Sequence, residues 1–264
     1  MKISVITATW NSGKTIEDTL KSVLSQNFTN VEHIIKDGGS KDNTLEVCKG
    51  YEQNSYSHAE DDGRSIKILS GKDKGIYDAM NQGIKAATGD VIGILNSDDF
   101  YTSNDVLQRV AEEFAKDERL EAVYGDIHFV KEANLKKCTR YYSSRYFRPW
   151  ALRFGFMPAH PSFYVRREVY EKYGLYDLDF RTSSDFEMMV RLFAKEKICA
   201  KYINKDFVTM RAGGESTAGI EAKRRVNRDI AGSLKKHGVY SNQLFQSLRY
   251  LWRIGEMVYT KIKY

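Results

Sequence analysis

The chain has 264 residues, is 42% hydrophobic and 12% aromatic, and carries a formal net charge of +6, which suits one enzyme-sized globular domain with a small appendage. Only three prolines, no low-complexity run and no internal repeat exclude long disordered linkers, solenoids and propellers. The three cysteines, Cys48, Cys138 and Cys199, lie far apart without a CxxC pair, which argues against a disulfide framework or zinc site and for a reducing cytoplasm.

The first hundred residues alternate between strand-like and helix-like segments. Lys2–Thr7 is a β-branched run too short for a signal peptide and predicts a buried first strand. Asn11 or Ser12 can cap a helix through about Ser25, with Ile16, Leu20, Val23 and Leu24 on one face. Val31–Lys36 predicts a second strand, ended by Asp37-Gly38-Gly39-Ser40, and a helix follows around Thr44–Tyr51. Gln53–Arg64 is polar and predicts a surface loop, and Ile66–Leu69 a third strand. Ile76–Ala87 has helical period with Gly89 as its stop, and Val91–Leu95 is wholly apolar, as a central parallel strand should be. Helix Asp105–Ala115 and strand Leu120–Tyr124 continue the pattern. This alternation predicts an α/β fold with a mostly parallel sheet, whose ligands sit beyond the carboxyl ends of the strands. The polar clusters Thr7-Ala8-Thr9, Asp37-Gly38-Gly39, Lys72-Asp73 and Ser97-Asp98-Asp99 all fall at such ends.

After Asp126 the pattern loosens. Tyr141–Phe156, rich in aromatics and arginines, suits either a substrate loop or a surface segment pinned by its rings. Ser162–Val165 is strand-like, Arg167–Tyr173 starts a helix, and Ser184–Lys195 is an amphipathic helix with Phe186, Met189, Val190 and Phe193 inward. The last fifty residues read as helical. From Lys201 onward Lys and Arg far outnumber the acids Asp206, Glu215, Glu221, Asp229 and Glu256. That tail is either a solvated face or a basic surface for anionic lipid or a phosphate-bearing substrate. Its Tyr250–Ile262 segment could pack on the domain, pair with a second subunit in a homodimer, or lie on a membrane face. No nucleic-acid module accompanies the charge, so no nucleic-acid partner is expected. No run approaches the roughly 20 apolar residues of a membrane span. The location expected is cytoplasmic, with peripheral contact to the inner face of the membrane as the open alternative.

Asp98 and Asp99 end an apolar strand, where two adjacent carboxylates are costly without a compensating cation. A hard divalent ion with oxygen ligands supplies one and bridges to phosphate oxygens; a turn cap is the plainer alternative. Asp37 sits in a Gly-Gly turn that lets a flat ligand approach, although turn chemistry alone also explains it. Asp185 begins a helix, as a cap or as an ionised general base.

These stretches resemble the inverting family 2 glycosyltransferases of the GT-A fold, nearest to the bacterial branch that builds O-antigen, capsule and other exopolysaccharides. The likeness lies in ISVITATWN (Ile3–Asn11), HIIKDGGSKDNT (His33–Thr44), SGKDKGIYDAMNQG (Ser70–Gly83), GDVIGILNSDDF (Gly89–Phe100), His160–Arg166 and SDFEMMVRL (Ser184–Leu192), in the family's order over roughly residues 1–195. It implies a GT-A domain, expected over 1–212, while the basic helical extension expected over 213–264 lies outside the likeness. It implies a UDP-sugar donor, a divalent Mn²⁺ or Mg²⁺ cofactor, and a glycan acceptor of the polyprenyl-diphosphate-linked kind. Thr7, Thr9, Asn11 and Asp37 would then line the nucleotide pocket, with Lys72 and Asp73 at the nucleotide or ribose. Asn96, Ser97, Asp98 and Asp99 would form the metal and ribose motif, with Asp99 the direct metal ligand and Asp98 supporting the ribose or a metal-bound water. Asp185 would be the catalytic base, and His160 and Arg191 would help at the diphosphate.

Two positions depart from the family pattern. Asn96 stands where Asp is common, and Ser184 where Glu is common, so Asp185 lacks an acidic neighbour. A sugar nucleotidyltransferase would place a glycine-rich, arginine-bearing loop after the first strand, which Thr7–Gly13 does not provide. No GxGxxG follows any strand, against a dinucleotide-binding oxidoreductase. A degenerate transferase serving as a subunit of an assembly complex is the remaining alternative, and the retained Asp37, Asp98, Asp99 and Asp185 speak against it.

Overall fold

A computed structural model describes residues 1–55, 63–213 and 219–263. Nine strands form one sheet in the order β3-β2-β1-β4-β8-β6-β9-β5, with β7 hydrogen-bonded to β6. They are β1 (Ile3–Thr9), β2 (Val31–Asp37), β3 (Ser65–Ser70), β4 (Val91–Ile94), β5 (Phe100–Tyr101), β6 (Ala122–Val130), β7 (Arg140–Tyr142), β8 (Tyr164–Arg166) and β9 (Ala200–Arg211). β1 to β4 run parallel, in register Thr9↔Asp37↔Ser70, so their carboxyl ends share one edge. β8 is antiparallel to both β4 and β6, which returns β6 and its parallel neighbour β9 to the direction of β4.

The helices are α1 (Ile16–Leu24), α2 (Thr44–Ser55), α3 (Ile76–Ala86), α4 (Val106–Lys116), α5 (Arg167–Tyr173), α6 (Ser184–Met189), α7 (Gly219–Lys236) and α8 (Gln243–Lys263). The central strands send alternate residues to opposite faces. Ile3 and Val5 of β1 and Val91 of β4 join Val106, Leu107, Val110 and Phe114 of α4 on one face. Ile6, Ala8, Ile92 and Ile94 meet Ala79, Met80 and Ile84 of α3, with Phe186 and Met189 of α6, on the other. Each fully buried side chain of this size contributes about 1.5–3 kcal/mol. Glycine permits the closest approaches. A Cβ at Gly83 would lie 2.4 Å from Ile6, so α3 sits directly on β1, and one at Gly93 would lie 2.3 Å from the Tyr164 ring.

The later half differs from the sequence reading. β6 runs to Val130 rather than stopping near Tyr124, and the twelve-residue β9, which no expectation named, lies beside it. The expected helix over Ser184–Lys195 is α-helical only through Met189 and continues as a π-helix over Val190–Lys195, with its four predicted inward residues buried. The tail is two helices broken at Gly238, where φ is +69°. Of the loop expected over Gln53–Arg64, residues 56–62 lie outside the described residues, and 53–55 end α2. No helix among the described residues is long and apolar enough to cross a membrane.

Candidate active site

The four parallel strands deliver four polar segments to one edge of the sheet. Thr9 ends β1 with its hydroxyl buried and without a protein partner. Asn11 adopts φ +50° and ties two loops together, its backbone N–H donating to Ser40 Oγ at 2.8 Å and its Oδ1 accepting Lys41 N at 2.8 Å. Trp10 between them is 61% exposed, and its ring edge lies against Gly38 and near Asp73.

Asp37 ends β2 and is spent on its own turn, accepting Gly39 N, Ser40 N, Ser40 Oγ at 2.5 Å and Ser70 Oγ at 2.9 Å. Burial pushes its carboxyl up, but these donors outweigh it and hold the group below the usual carboxylate range. The neighbouring Lys36 is 2% exposed and donates to the carbonyls of Asp37 and Gly71, 3.5 Å from the Asp73 carboxylate. It fixes the loop after β3, where Asp73 accepts Gly75 N at 2.9 Å and Lys72 is exposed. Thr7, placed in the nucleotide pocket by the sequence reading, is fully buried one turn of the strand below it. Its hydroxyl is 3.0 Å from Nε2 of His33, an imidazole that burial holds neutral by lowering its pKa to about 3.

The segment after β4 carries the carboxylate pair. Thr15 donates to the Ser97 carbonyl, and the Ser97 and Ser12 hydroxyls meet at 2.8 Å. Asp99 points inward and is 1% exposed. It accepts Asn96 Nδ2 at 3.0 Å and Arg211 N at 3.3 Å, while Thr19 holds its carbonyl at 2.6 Å. Burial first, and then the charge of Asp98, raises its carboxyl well above the ordinary value. Asp98 is half-buried; burial raises its carboxyl too, with the charge of Arg211 pulling it down and Glu132 pushing it up. The inward carboxylate is Asp99, fixed by Asn96, and the accessible one is Asp98. Asn96 Oδ1 is buried beside them without a protein partner.

Arg211, the last residue of β9, braces this turn and was missed from the sequence. It donates to the Asp98 carbonyl at 2.5 Å and to Glu132 at 2.7 Å, reaches Asp18 of α1, and lies over the Phe100 ring. No motif marks it, but the run Phe207-Val208-Thr209-Met210 before it has strand composition.

Asp185 begins α6 and meets the start of α3. Its Oδ1 accepts Tyr77 Oη at 2.9 Å and Phe186 N at 2.8 Å. The loop before it is held by α7, since Asp229 accepts both the amide and the hydroxyl of Thr182. Two predicted diphosphate residues do other work. His160 is 8% exposed and 2.6 Å from Tyr176 Oη, and burial lowers its pKa against the pull of Asp185, which disfavours its charged form. Arg191 spends all five N–H groups on the carbonyls of Tyr173, Gly174 and Leu175 and on Glu187, leaving none for an anion.

A sheet of this topology, with its polar strand ends gathered along one edge and a carboxylate pair after β4, is a GT-A glycosyltransferase domain. The glycosyl transferase family 2 model matches residues 4–174, and the chain belongs to that family. It is 28% identical over 201 residues to a PGL/p-HBAD biosynthesis glycosyltransferase of Mycobacterium tuberculosis, covering 76% of this chain and 73% of that protein. An uncharacterized glycosyltransferase of the same species is 30% identical over 196 residues, 72% of this chain and 68% of that one. Among solved structures, the mannosyltransferase PcManGT from Pyrobaculum calidifontis, in complex with GDP-Man and Mn²⁺, superposes with a TM-score of 0.65 at 18% identity, over 98% of this chain and 73% of that one. S. aureus TarS 1-349, in complex with UDP, gives a TM-score of 0.63 at 17% identity, over 91% of this chain and 67% of that one. This chain spans 44% of the longer TarS chain.

Proposed function

We propose that the chain moves a sugar from a UDP-sugar to a hydroxyl of a glycan acceptor, with inversion at the anomeric carbon. The acceptor is a lipid-linked glycan of bacterial surface polysaccharide synthesis, which sets the enzyme in the cytoplasm at the inner face of the membrane. Residues 1–212 carry the chemistry and 213–264 extend it. The observation that carries this reading is the half-buried Asp98 at the carboxyl edge of the sheet, beside unpartnered oxygens of Thr9 and Asn96.

A divalent cation fits these residues. No group of three His, Cys, Asp or Glu among the described residues could hold a metal by itself. Mg²⁺ and Mn²⁺ sites nevertheless commonly use one or two carboxylates and complete the shell with substrate phosphates and water. Asp98 would hold the ion, with Asn96 Oδ1 as a neighbouring oxygen free to accept a hydrogen bond. When bound, the ion supplies positive charge to the departing diphosphate. Asp99 and Arg211 keep the Asp98 backbone in place. Asp185 accepts the proton of the acceptor hydroxyl as that oxygen bonds to the anomeric carbon and the bond to the diphosphate breaks. Tyr77, donating to Oδ1 of Asp185, orients the carboxylate. Trp10 offers a flat, exposed ring for the base, and Lys72 an exposed cation beside the nucleotide.

Calorimetry of UDP binding with and without Mn²⁺ tests the reading. The parent is expected to bind UDP with the ion present, and Asp98→Ala to bind at least about tenfold more weakly with an unchanged melting temperature. No metal-dependent binding by the parent would refute it. Base–aromatic stacking is worth about 1–3 kcal/mol, so Trp10→Ala should weaken UDP binding about 5- to 150-fold while sparing turnover at saturating donor. Equal affinity would remove Trp10 from the site.

A further inference from the structure

On an ordinary surface helix the apolar stripe faces the core and the polar face meets water. α8 also leaves an apolar stripe in water. Its inward side is mixed: Phe245 packs on Phe154 and Trp252 on Phe156, while Arg140 of β7 donates to Glu256 at 2.8 Å, Tyr141 N to Thr260 at 2.9 Å, and Arg249 reaches Asn227 of α7. Its outward side carries Leu244, Leu248, Leu251, Ile254 and Val258, spaced at successive helical turns, and Leu244 and Leu251 are 70% and 66% exposed. Leaving this stripe in water forfeits the usual gain from burial, so the helix is built for a second phase.

Aromatic rings line the seam between α8 and the domain, next to that stripe. Phe154 packs on Phe245 at 5.0 Å and on Trp150 at 5.9 Å, Tyr240 on Phe245 at 6.2 Å, and Phe156 on Trp252 at 5.6 Å. Trp150, Tyr240 and Trp252 remain exposed. Rings with an apolar body and a polar tip favour the boundary between lipid and water. A cavity of about 650 Å³ alongside is lined by Trp150 and Tyr240 together with Arg153 and Lys197.

We propose that this face docks on an anionic lipid bilayer, with α8 lying in the interface rather than crossing it. Charge selects that occupant over a second copy of the chain. α7, joined to α8 through Asn227, exposes Lys223, Arg224, Arg225, Arg228 and Lys235 against the single exposed acid Glu221. The one acid of α8, Glu256, is paired inward with Arg140. A self-interface through the stripe would bring two cationic flanks together, whereas an anionic headgroup layer attracts both. The proposal deepens the reading of a lipid-linked acceptor, because docking would hold the site at the surface where that acceptor resides.

The test is sedimentation of the full chain with sucrose-loaded vesicles, either of phosphatidylcholine alone or with about 30% phosphatidylglycerol. The parent is expected to pellet with the anionic vesicles and not with the neutral ones. Leu248→Gln/Leu251→Gln/Ile254→Gln alters exposed side chains only and should keep its melting temperature while binding at least about tenfold more weakly. Absence of pelleting, equal pelleting with both lipids, or unimpaired binding by the variant overturns the proposal. So does a dimer in analytical ultracentrifugation that the triple variant dissociates while vesicles bind neither form. Neither donor nor acceptor is present, so a negative result here leaves donor turnover standing, and a chain that fails to bind UDP can still pellet.

Discussion

Replacement of Asp185 by Asn should lower sugar transfer by about 10²–10⁴-fold, the span that a positioned general base contributes. The amide keeps the shape of the side chain and its acceptance of Tyr77 Oη through the remaining oxygen, but takes no proton. UDP affinity in the presence of Mn²⁺ should be unchanged, because Asp185 belongs to α6 while the proposed nucleotide contacts lie at the ends of β1 to β4. Measuring transfer and UDP binding on the same preparation separates the roles. Transfer within about threefold of the parent would discard Asp185 as the base. Loss of UDP affinity would instead make it part of the donor site. Tyr77→Phe should cost less than Asp185→Asn, since it removes orientation and leaves the base.

The largest stability effect is expected at Glu187. Its carboxylate is 1% exposed and receives Arg191 Nη2 at 3.0 Å and Nε at 3.3 Å, with His237 Nε2 at 2.7 Å. Breaking a buried pair by removing one partner costs about 3–5 kcal/mol, because the other charge stays buried. Glu187→Ala should therefore lower stability by about that amount in denaturant titration. A cost below about 1 kcal/mol, typical of an exposed pair, would contradict the buried network. Burial raises the Glu187 carboxyl, yet the bond from His237 and the charge and bonds of Arg191 prevail and hold it below its unfolded value of 4.5. Its contribution is thus fully present above that value and is lost as pH falls through the lower, folded-state value. Unfolding free energy followed from pH 7 into this acid range should fall less steeply for Glu187→Gln than for the parent. Parallel profiles would show that Glu187 is not the linked group.

β1, β2 and β4 were legible because each is buried along its whole length and ends in a polar cluster, and the half-exposed β3 because Ile66, Ile68 and Leu69 give it strand composition. Val91–Ile94, with no exposed residue, is the clearest case. β9 was not, since Lys201, Lys205 and Asp206 interrupt its alternation and its partner β6 lies far away in sequence. Arg211 was hidden with it. Residue type also says little about where a charge is spent. Arg191 and His160 have the chemistry for a diphosphate, but a carbonyl turn and a buried tyrosine take their bonds. Adjacent residues in a turn point differently, and the burial of Asp99 beside the half-buried Asp98 is visible only in the structure. Trp10 stood in the matched ISVITATWN stretch, yet an aromatic between polar residues reads equally as core until its exposure is known.

Thr9 Oγ1 and Asn96 Oδ1, buried without protein partners, carry a consequence for engineering. An unmet buried oxygen costs about 1–3 kcal/mol, so replacing Thr9, whose hydroxyl has no other bond to lose, by an apolar residue of equal size can raise the melting point of the free protein. A campaign that ranks variants by heat resistance alone would then favour Thr9→Val and erode the very edge at which a donor is held. Thermal selection on this scaffold has to be run with the nucleotide present, so that occupancy is rewarded together with toughness.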